Sequence, residues 1–374
     1  MSEEKRKPIP MVDLKKEFSL LKPLLLTEII DVLESGHYIL GEKGQQFEER
    51  LADYVDADFA SGVANGTDAL VIALKALGIG PGDEVITTPF TFFATGEVIA
   101  QVGATPVFAD IERETYNLDP KQVAKKVTDK TKAIIVVHLF GQAANMDAIQ
   151  KIAKKHNLFV IEDACQAIGT EYKGNRVGAL GDVGCYSFFP SKSLGAFGDA
   201  GMIVTNQESL YNKVNELRNH GSISKYMHTS IGQNSRLDEI QAAVLLIKLK
   251  FLDLFLHKRK EIAKRYSEGL IDSIKKPVVS NLRTHTFHQY CIELNNRDQL
   301  STYLTEKGIA SAVYYPVPLH LQKVFEGLGY KKGDFPAAEH AANRILALPI
   351  SPELSIDAQN TIIDHVNKFV AQQD

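Results

Sequence analysis

From about Phe59 to Asn206, short apolar runs alternate with stretches of helical period. Glu84–Thr87, Thr105–Ala109, Ala133–Val137, Leu158–Glu162, Gly184–Phe189 and Met202–Thr205 predict strands. They are short and rich in Val, Ile and Phe, which favours strand over helix. Most are continuously apolar rather than alternating, as expected of a sheet covered on both faces. Thr67–Leu77, Asp147–His156 and Glu208–His220 predict helices between them. The alternation predicts an α/β fold with a largely parallel sheet.

Ser235–Leu270 reads as helical, free of internal Pro, with a break near Lys250. Beyond it the pattern changes. His288–Leu294 alternates like a strand, and Arg297–Lys307 predicts a helix stopped by Gly308. Ile309–Tyr315 predicts a second strand, and Ser355–Ala371 a closing helix. Ile362, Ile363, Val366, Phe369 and Val370 share one face of that helix, with Ser355 as N-cap. We therefore expect a large domain over 1–250 and a smaller α+β domain over 251–374. GALGDVG (178–184) and GAFGDAG (195–201) are two Gly-rich turns, not an internal duplication.

The chain has 374 residues, too many for one ordinary core. Its 44% hydrophobic and 24% charged residues describe a soluble globule. A net charge of −4 gives no reason to expect nucleic acid or an anionic membrane as partner. Cys165, Cys185 and Cys291 show no CxxC spacing, which argues for a reducing, cytoplasmic setting and against structural zinc. The start, MSEEKRKPIPMVDL, lacks an apolar core and does not predict a signal peptide. Catalytic metal ligation is unsupported.

Chemistry concentrates in two places. The apolar run LFVIED ends on Asp163, and SFFPSKSLG carries Ser187 and then Lys192 between Pro190 and Gly195. Most lysines are solvated surface. This one lies in a segment free of other charge until Asp199, where partial desolvation favours the neutral amine. A lysine amine and a carboxylate so delivered suit pyridoxal phosphate (PLP): the amine holds the aldehyde as a Schiff base, and the acid keeps the pyridine nitrogen protonated. Asp163 could instead cap a helix. Gly66-Thr67 opens an Ala/Leu-rich helix, a place where an anion can be held, although a simple helix start reads the same way.

Seven strings carry a resemblance over roughly Met11 to Val370: GHYILG (36–41), ANGTDAL (64–70), PFTFFAT (89–95), VIEDACQAIG (160–169), SFFPSKSLGAFGDAG (187–201), GQNSRLDEIQAA (232–243) and YYPVPLHLQ (314–322). The chain resembles the DegT/DnrJ nucleotide-sugar aminotransferases, which have the type I, aspartate-aminotransferase fold. The resemblance implies a large domain built on a mostly parallel seven-stranded sheet, PLP as cofactor and a homodimer with a shared active site. It implies Lys192 as the Schiff-base lysine and proton shuttle, and Asp163 as partner of the pyridinium. Gly66, Thr67 and Ser187 would hold the phosphate, joined by Asn234 from the neighbouring subunit. Phe92 would stack on the ring, with Phe93 as rival, and Gln166 would lie near the ring oxygen. Tyr314, Tyr315 and His320 would face the sugar nucleotide, with Tyr38 and Arg236 as further substrate contacts. Dehydratase relatives carry histidine in place of the lysine, so Lys192 speaks for amino transfer.

The expected reaction is amination of a keto-hexose on a nucleotide, with glutamate as donor. Carbon 3 is the preferred position, including 3-keto uronic sugars. A 4-keto-6-deoxy sugar is the alternative. A cysteine desulfurase would need a mobile cysteine, and each cysteine lies in or beside a predicted strand. A regulatory protein on the same scaffold would be expected to have lost Lys192 or Asp163. His138 and His220 read as structural.

Overall fold

The computed structural model describes residues 8–372. Seven strands form the central sheet: β1 Phe59–Val63, β2 Glu84–Thr87, β3 Thr105–Phe108, β4 Thr131–Val137, β5 Phe159–Asp163, β6 Val183–Ser187 and β7 Gly201–Thr205. Their order is β1-β7-β6-β5-β4-β2-β3. The run from β6 to β3 is parallel, and β7 is antiparallel to both its neighbours. The all-apolar strands have the predicted cause. On β4, Ala133 and Ile135 enter one buried cluster while Ile134 and Val136 enter another on the opposite face.

Two helices precede the sheet, α1 Leu14–Ser35 and α2 Glu42–Val55, and the apolar pattern had not announced them. The sheet helices are α3 Gly66–Ala76, α4 Ala94–Gln101, α5 Pro120–Lys126, α6 Met146–His156 and α7 Glu208–Arg218. The expected long helix is split at Lys250-Phe251 into α8 Glu239–Leu249 and α9 Leu252–Gly269. Residues 235–238 are not helical.

The last third holds β8 Tyr290–Glu293, α10 Arg297–Glu306, α11 Pro336–Arg344, β9 Ile345–Leu348 and α12 Ile356–Ala371. The expected strand Ile309–Tyr315 does not form. It makes only single bridges, Ile9 to Ile309 and Ala312 to Ala347. β8 instead pairs antiparallel with β9, whose four residues are all buried. Pro316 and Pro318, without N–H groups, also stop the earlier segment from extending. Ser355 caps α12 through Ala358 N at 3.2 Å, as expected. A buried cluster from Ile262 to Phe369 packs α9, β8, β9, α10 and α12 together. Another joins Phe90, Phe108 and Phe140 to Phe325, Phe335 and Ile345. Among the described residues no helix is long and apolar enough to cross a membrane.

Candidate active site

The C-terminal ends of β4, β5 and β6 and the turn after β1 open onto one cleft of about 650 Å³. Crevices at the carboxyl ends of parallel strands are where ligands of α/β sheets bind. Alternation along β5 sends Glu162 and Asp163 to opposite faces. Asp163 lines the cleft and is 6% exposed. Its Oδ2 accepts from Thr95 Oγ1 at 2.8 Å and its Oδ1 from Cys165 N at 3.3 Å. Thr95 is tied in turn to Thr91 at 3.1 Å.

Glu162, fully buried, braces the strand from behind. It accepts from the N–H groups of Gly178, Leu180 and Gly181 and bonds His138 Nε2 at 2.8 Å. His138 Nδ1 accepts from Ala144 N at 3.1 Å, so the ring proton sits on Nε2. His138 is thus structural, as the sequence suggested.

After β6 the chain turns sharply. Lys192 N donates to Phe189 O at 2.8 Å, and a Cβ at Gly195 would lie 2.3 Å from Pro190 O. The turn swings Lys192 into the cleft opposite Asp163. Its side chain is hemmed in by protein yet open to the cleft, and so half-buried. Burial lowers its pKa, while Cys165 and Asp163 oppose that shift more weakly. The result favours a neutral amine.

α3 begins against Ser187. A Cβ on Gly66 would strike Ser187 Cβ at 2.6 Å, so only glycine lets the helix start so close to that hydroxyl. Asn65 caps the helix through Asp68 N at 2.8 Å. Gly66, Thr67 and Ser187 thus share one end of the cleft, where the helix dipole is positive.

The two candidate rings separate clearly. Phe92 is 58% exposed and lines the cleft. Phe93 packs on Phe325, centroids 5.8 Å apart, against the core. Gln166 accepts from Phe140 N at 2.8 Å and donates to the Tyr315 hydroxyl at 2.9 Å. Tyr314 and Tyr315 complete that wall, and burial raises the pKa of both phenols.

Other sequence candidates lie elsewhere. Tyr38, Asn234 and Arg236 do not line this cleft. Asn234 is exposed, and its backbone bridges Asn219; Arg236 Nη1 donates to Asn219 Oδ1 at 3.2 Å. Tyr38 reaches Leu33 O at 3.3 Å, and the neighbouring Ile39 bridges Asp238. The three therefore belong to one surface outside the cleft. His320 turns away from the cleft altogether. It is 1% exposed, 3.1 Å from Glu339 and edge-on to Phe335, because the turn Leu319–Leu321 buries it against α11. Sequence reasoning also missed Thr95, His288 and Gln289. Thr95 had a signal, since it follows Phe92 by one helical turn. His288 and Gln289, at the lip of a strand, had none.

The profile of the DegT/DnrJ/EryC1/StrS aminotransferase family matches residues 21–367. This chain belongs to that family. The aminotransferase is 50% identical to a "Pleiotropic regulatory protein" of Geobacillus stearothermophilus, over 96% of this chain and 98% of the relative. It is 47% identical to the UDP-N-acetyl-3-dehydro-α-D-glucosamine 3-aminotransferase of Acidithiobacillus ferrooxidans, over 92% and 94%. Among solved structures, DesV of Streptomyces venezuelae, crystallised with a ketimine intermediate, superposes with a TM-score of 0.95 at 41% identity, covering 97% of this chain and 98% of its own. Another, from Bacillus subtilis, holds pyridoxamine phosphate (TM-score 0.92, 31% identity, 99% and 87% covered).

The cofactor of this aminotransferase is PLP, and the cleft fits it. A primary amine whose pKa burial lowers faces a buried carboxylate, and the Gly66 start leaves room for an anion beside Ser187. When bound, PLP supplies the electron sink for amino transfer.

Proposed function

We propose that this aminotransferase moves an amine from glutamate to the keto carbon of a nucleotide-linked hexose, at carbon 3. The observation that carries the reading is the meeting of Lys192 and Asp163 in one cleft beside the Tyr314-Tyr315 wall. The 47% identical relative named as a 3-aminotransferase supports carbon 3. Lys192 would hold the cofactor aldehyde and move a proton at the substrate carbon. Asp163, fixed by Thr95, would keep the cofactor ring nitrogen protonated. Gly66, Thr67 and Ser187 would hold its phosphate, Phe92 would stack on its ring, and Gln166 would lie near its ring oxygen. Tyr314 and Tyr315 face the sugar.

Tyr38, Asn234 and Arg236 serve the cleft of a second copy. Exposed Leu20, Leu24, Ile30 and Leu33 on α1, with Tyr38, Ile39 and Leu40, give an apolar surface suited to a homodimer. Residues 1–250 and 251–374 are read as its two domains, supported by the separate cluster from Ile262 to Phe369. The relative named as a regulator favours a second reading, a sensor on this scaffold. Retention of both Lys192 and Asp163 speaks for catalysis.

The test supplies glutamate with a 3-keto or a 4-keto hexose nucleotide. The expected products are 2-oxoglutarate and the 3-amino sugar. Turnover of the 4-keto substrate alone would move the carbon. No turnover with either would remove the reading.

A further inference from the structure

The cleft must receive two unlike molecules in turn: an amino dicarboxylate and a sugar bearing a ketone. Among the described residues that line it, Lys192 is the only lysine and there is no arginine. Within one copy, then, no fixed cation other than Lys192 meets the substrates, and Arg236 would come only from a second copy. A group of the same copy that bonds oxygen without carrying permanent charge suits both the carboxylate of glutamate and an uncharged sugar ring.

His288 meets that requirement. It lines the cleft, yet is only 7% exposed. Its Nδ1 is buried with no hydrogen-bond partner in the protein. A buried imidazole nitrogen left unpaired costs stability, so its retention asks for a partner that arrives with a ligand. The backbone that carries the ring is also held in place. Arg259, itself buried, reaches the carbonyls of Phe287, His288 and Ile350, and Gln289 N donates to Phe140 O at 3.4 Å. Phe140 is the residue whose N–H fixes Gln166, so His288 is tied to the frame that orients the cleft's polar wall. Burial first, then the charges of Lys192 and Arg259, press the imidazole toward its neutral form. A neutral imidazole offers one donor and one acceptor.

We propose that His288 is a substrate-binding residue used in both halves of the reaction, bonding an oxygen carried on the atom next to the reacting carbon. In glutamate that oxygen belongs to the α-carboxylate. In the sugar it is a ring substituent beside the ketone. The proposal rests on the amino-transfer reading above and adds to it the group that lets one cleft serve both substrates.

The two halves can be read apart on the PLP-loaded enzyme by its absorbance: first with glutamate alone, then with the keto-sugar nucleotide added to the aminated form. His288→Phe keeps the ring's bulk and removes both nitrogens. It should retain the cofactor spectrum while weakening the apparent affinity for glutamate and for the sugar nucleotide at least tenfold each. His288→Gln, which keeps a neutral donor and acceptor, should recover a good part of both. Unchanged affinities in His288→Phe would overturn the proposal, and so would a defect in one half-reaction alone. If His288→Phe loses the cofactor spectrum, His288→Gln decides: normal cofactor binding with both affinities lowered together but only in part is expected, and impaired cofactor binding in that variant, or normal binding with both affinities unchanged, would overturn a substrate role. A wild-type enzyme inert toward glutamate would instead remove the amino-transfer reading itself.

Discussion

The carboxylate of Glu239 fills the space that a Cβ on Gly44 would need, its Oε1 lying 2.6 Å from that position. The same carboxylate accepts from Gly41 N, Lys43 N and Gly44 N at 2.8–3.0 Å, and so caps α2 from far along the chain. Glu239→Ala should cost roughly 2–4 kcal/mol, through backbone donors left without a partner. Gly44→Ala should also destabilise. Combined, the two should cost less than their sum, because the added methyl enters the space the carboxylate has left. Urea unfolding midpoints of the three variants check this, and strict additivity would refute it.

Thr95 should matter through Asp163. Thr95→Val removes the 2.8 Å donor to Oδ2 and leaves the Cys165 N–H as the remaining bond. We expect amino transfer to fall about tenfold, the equivalent of one charge-assisted hydrogen bond. Asp163→Asn should fall further, by roughly 10²–10⁴. Steady-state rates with the cofactor spectrum recorded alongside separate lost chemistry from lost binding.

Lys192 cannot be replaced by another cation. Lys192→Arg keeps a positive charge, but a guanidinium does not shed its proton at working pH, whereas burial lowers the Lys192 amine. Both Lys192→Arg and Lys192→Ala should lose transfer by at least roughly 10²-fold. The 2-oxoglutarate released by a glutamate pulse is the measure, and activity in the arginine variant would show that the amine is not the acting group.

The sheet and the acid–amine pair were legible because each is written in a short local stretch. An apolar strand ending in Asp163 and a charge-free turn holding Lys192 are local patterns, and the structure brings them to one cleft. Distance along the chain hid the rest. Nothing near Gly44 announces that Glu239 caps α2, and nothing near His288 announces Arg259 behind it. The pattern over Ile309–Tyr315 looked like a strand because its burial comes from packing and single bridges, not from a ladder. His320 shared a polar, aromatic loop with Tyr314 and Tyr315, but side-chain direction within a turn leaves no periodic trace.

Acid should weaken the fold through His285. The ring is buried, stacks on Phe287 at 4.0 Å and accepts from Phe287 N through Nδ1. Burial, helped by Lys260, pushes its pKa down to about 3. In the unfolded chain it protonates near 6.5. Between these values the unfolded state binds more protons, so stability rises with pH. The contribution is complete above about 6.5 and is lost, by up to about 1.4 kcal/mol per pH unit, as pH falls toward 3. His285→Asn can keep an acceptor for Phe287 N without the titration. Its stability difference between pH 7.5 and pH 4.5 should be smaller than that of the parent, and an equal difference would show that His285 does not set the acid limb.

The one antiparallel strand of the large sheet fixes when the molecule can first work. β1 finds its partner only in β7, Phe59 opposite Thr205, and the turn after β1 carries Gly66. A Cβ at Gly201 would lie 2.4 Å from Asn65 O, so the arrival of β7 also seats the start of α3. During synthesis the ribosome must therefore complete the stretch through Thr205 before the end of the cleft at Gly66 and Ser187 can form. Until then β1 is an unpaired edge. A nascent chain stalled before that point has both an open seam for aggregation and a start of α3 that is not yet seated.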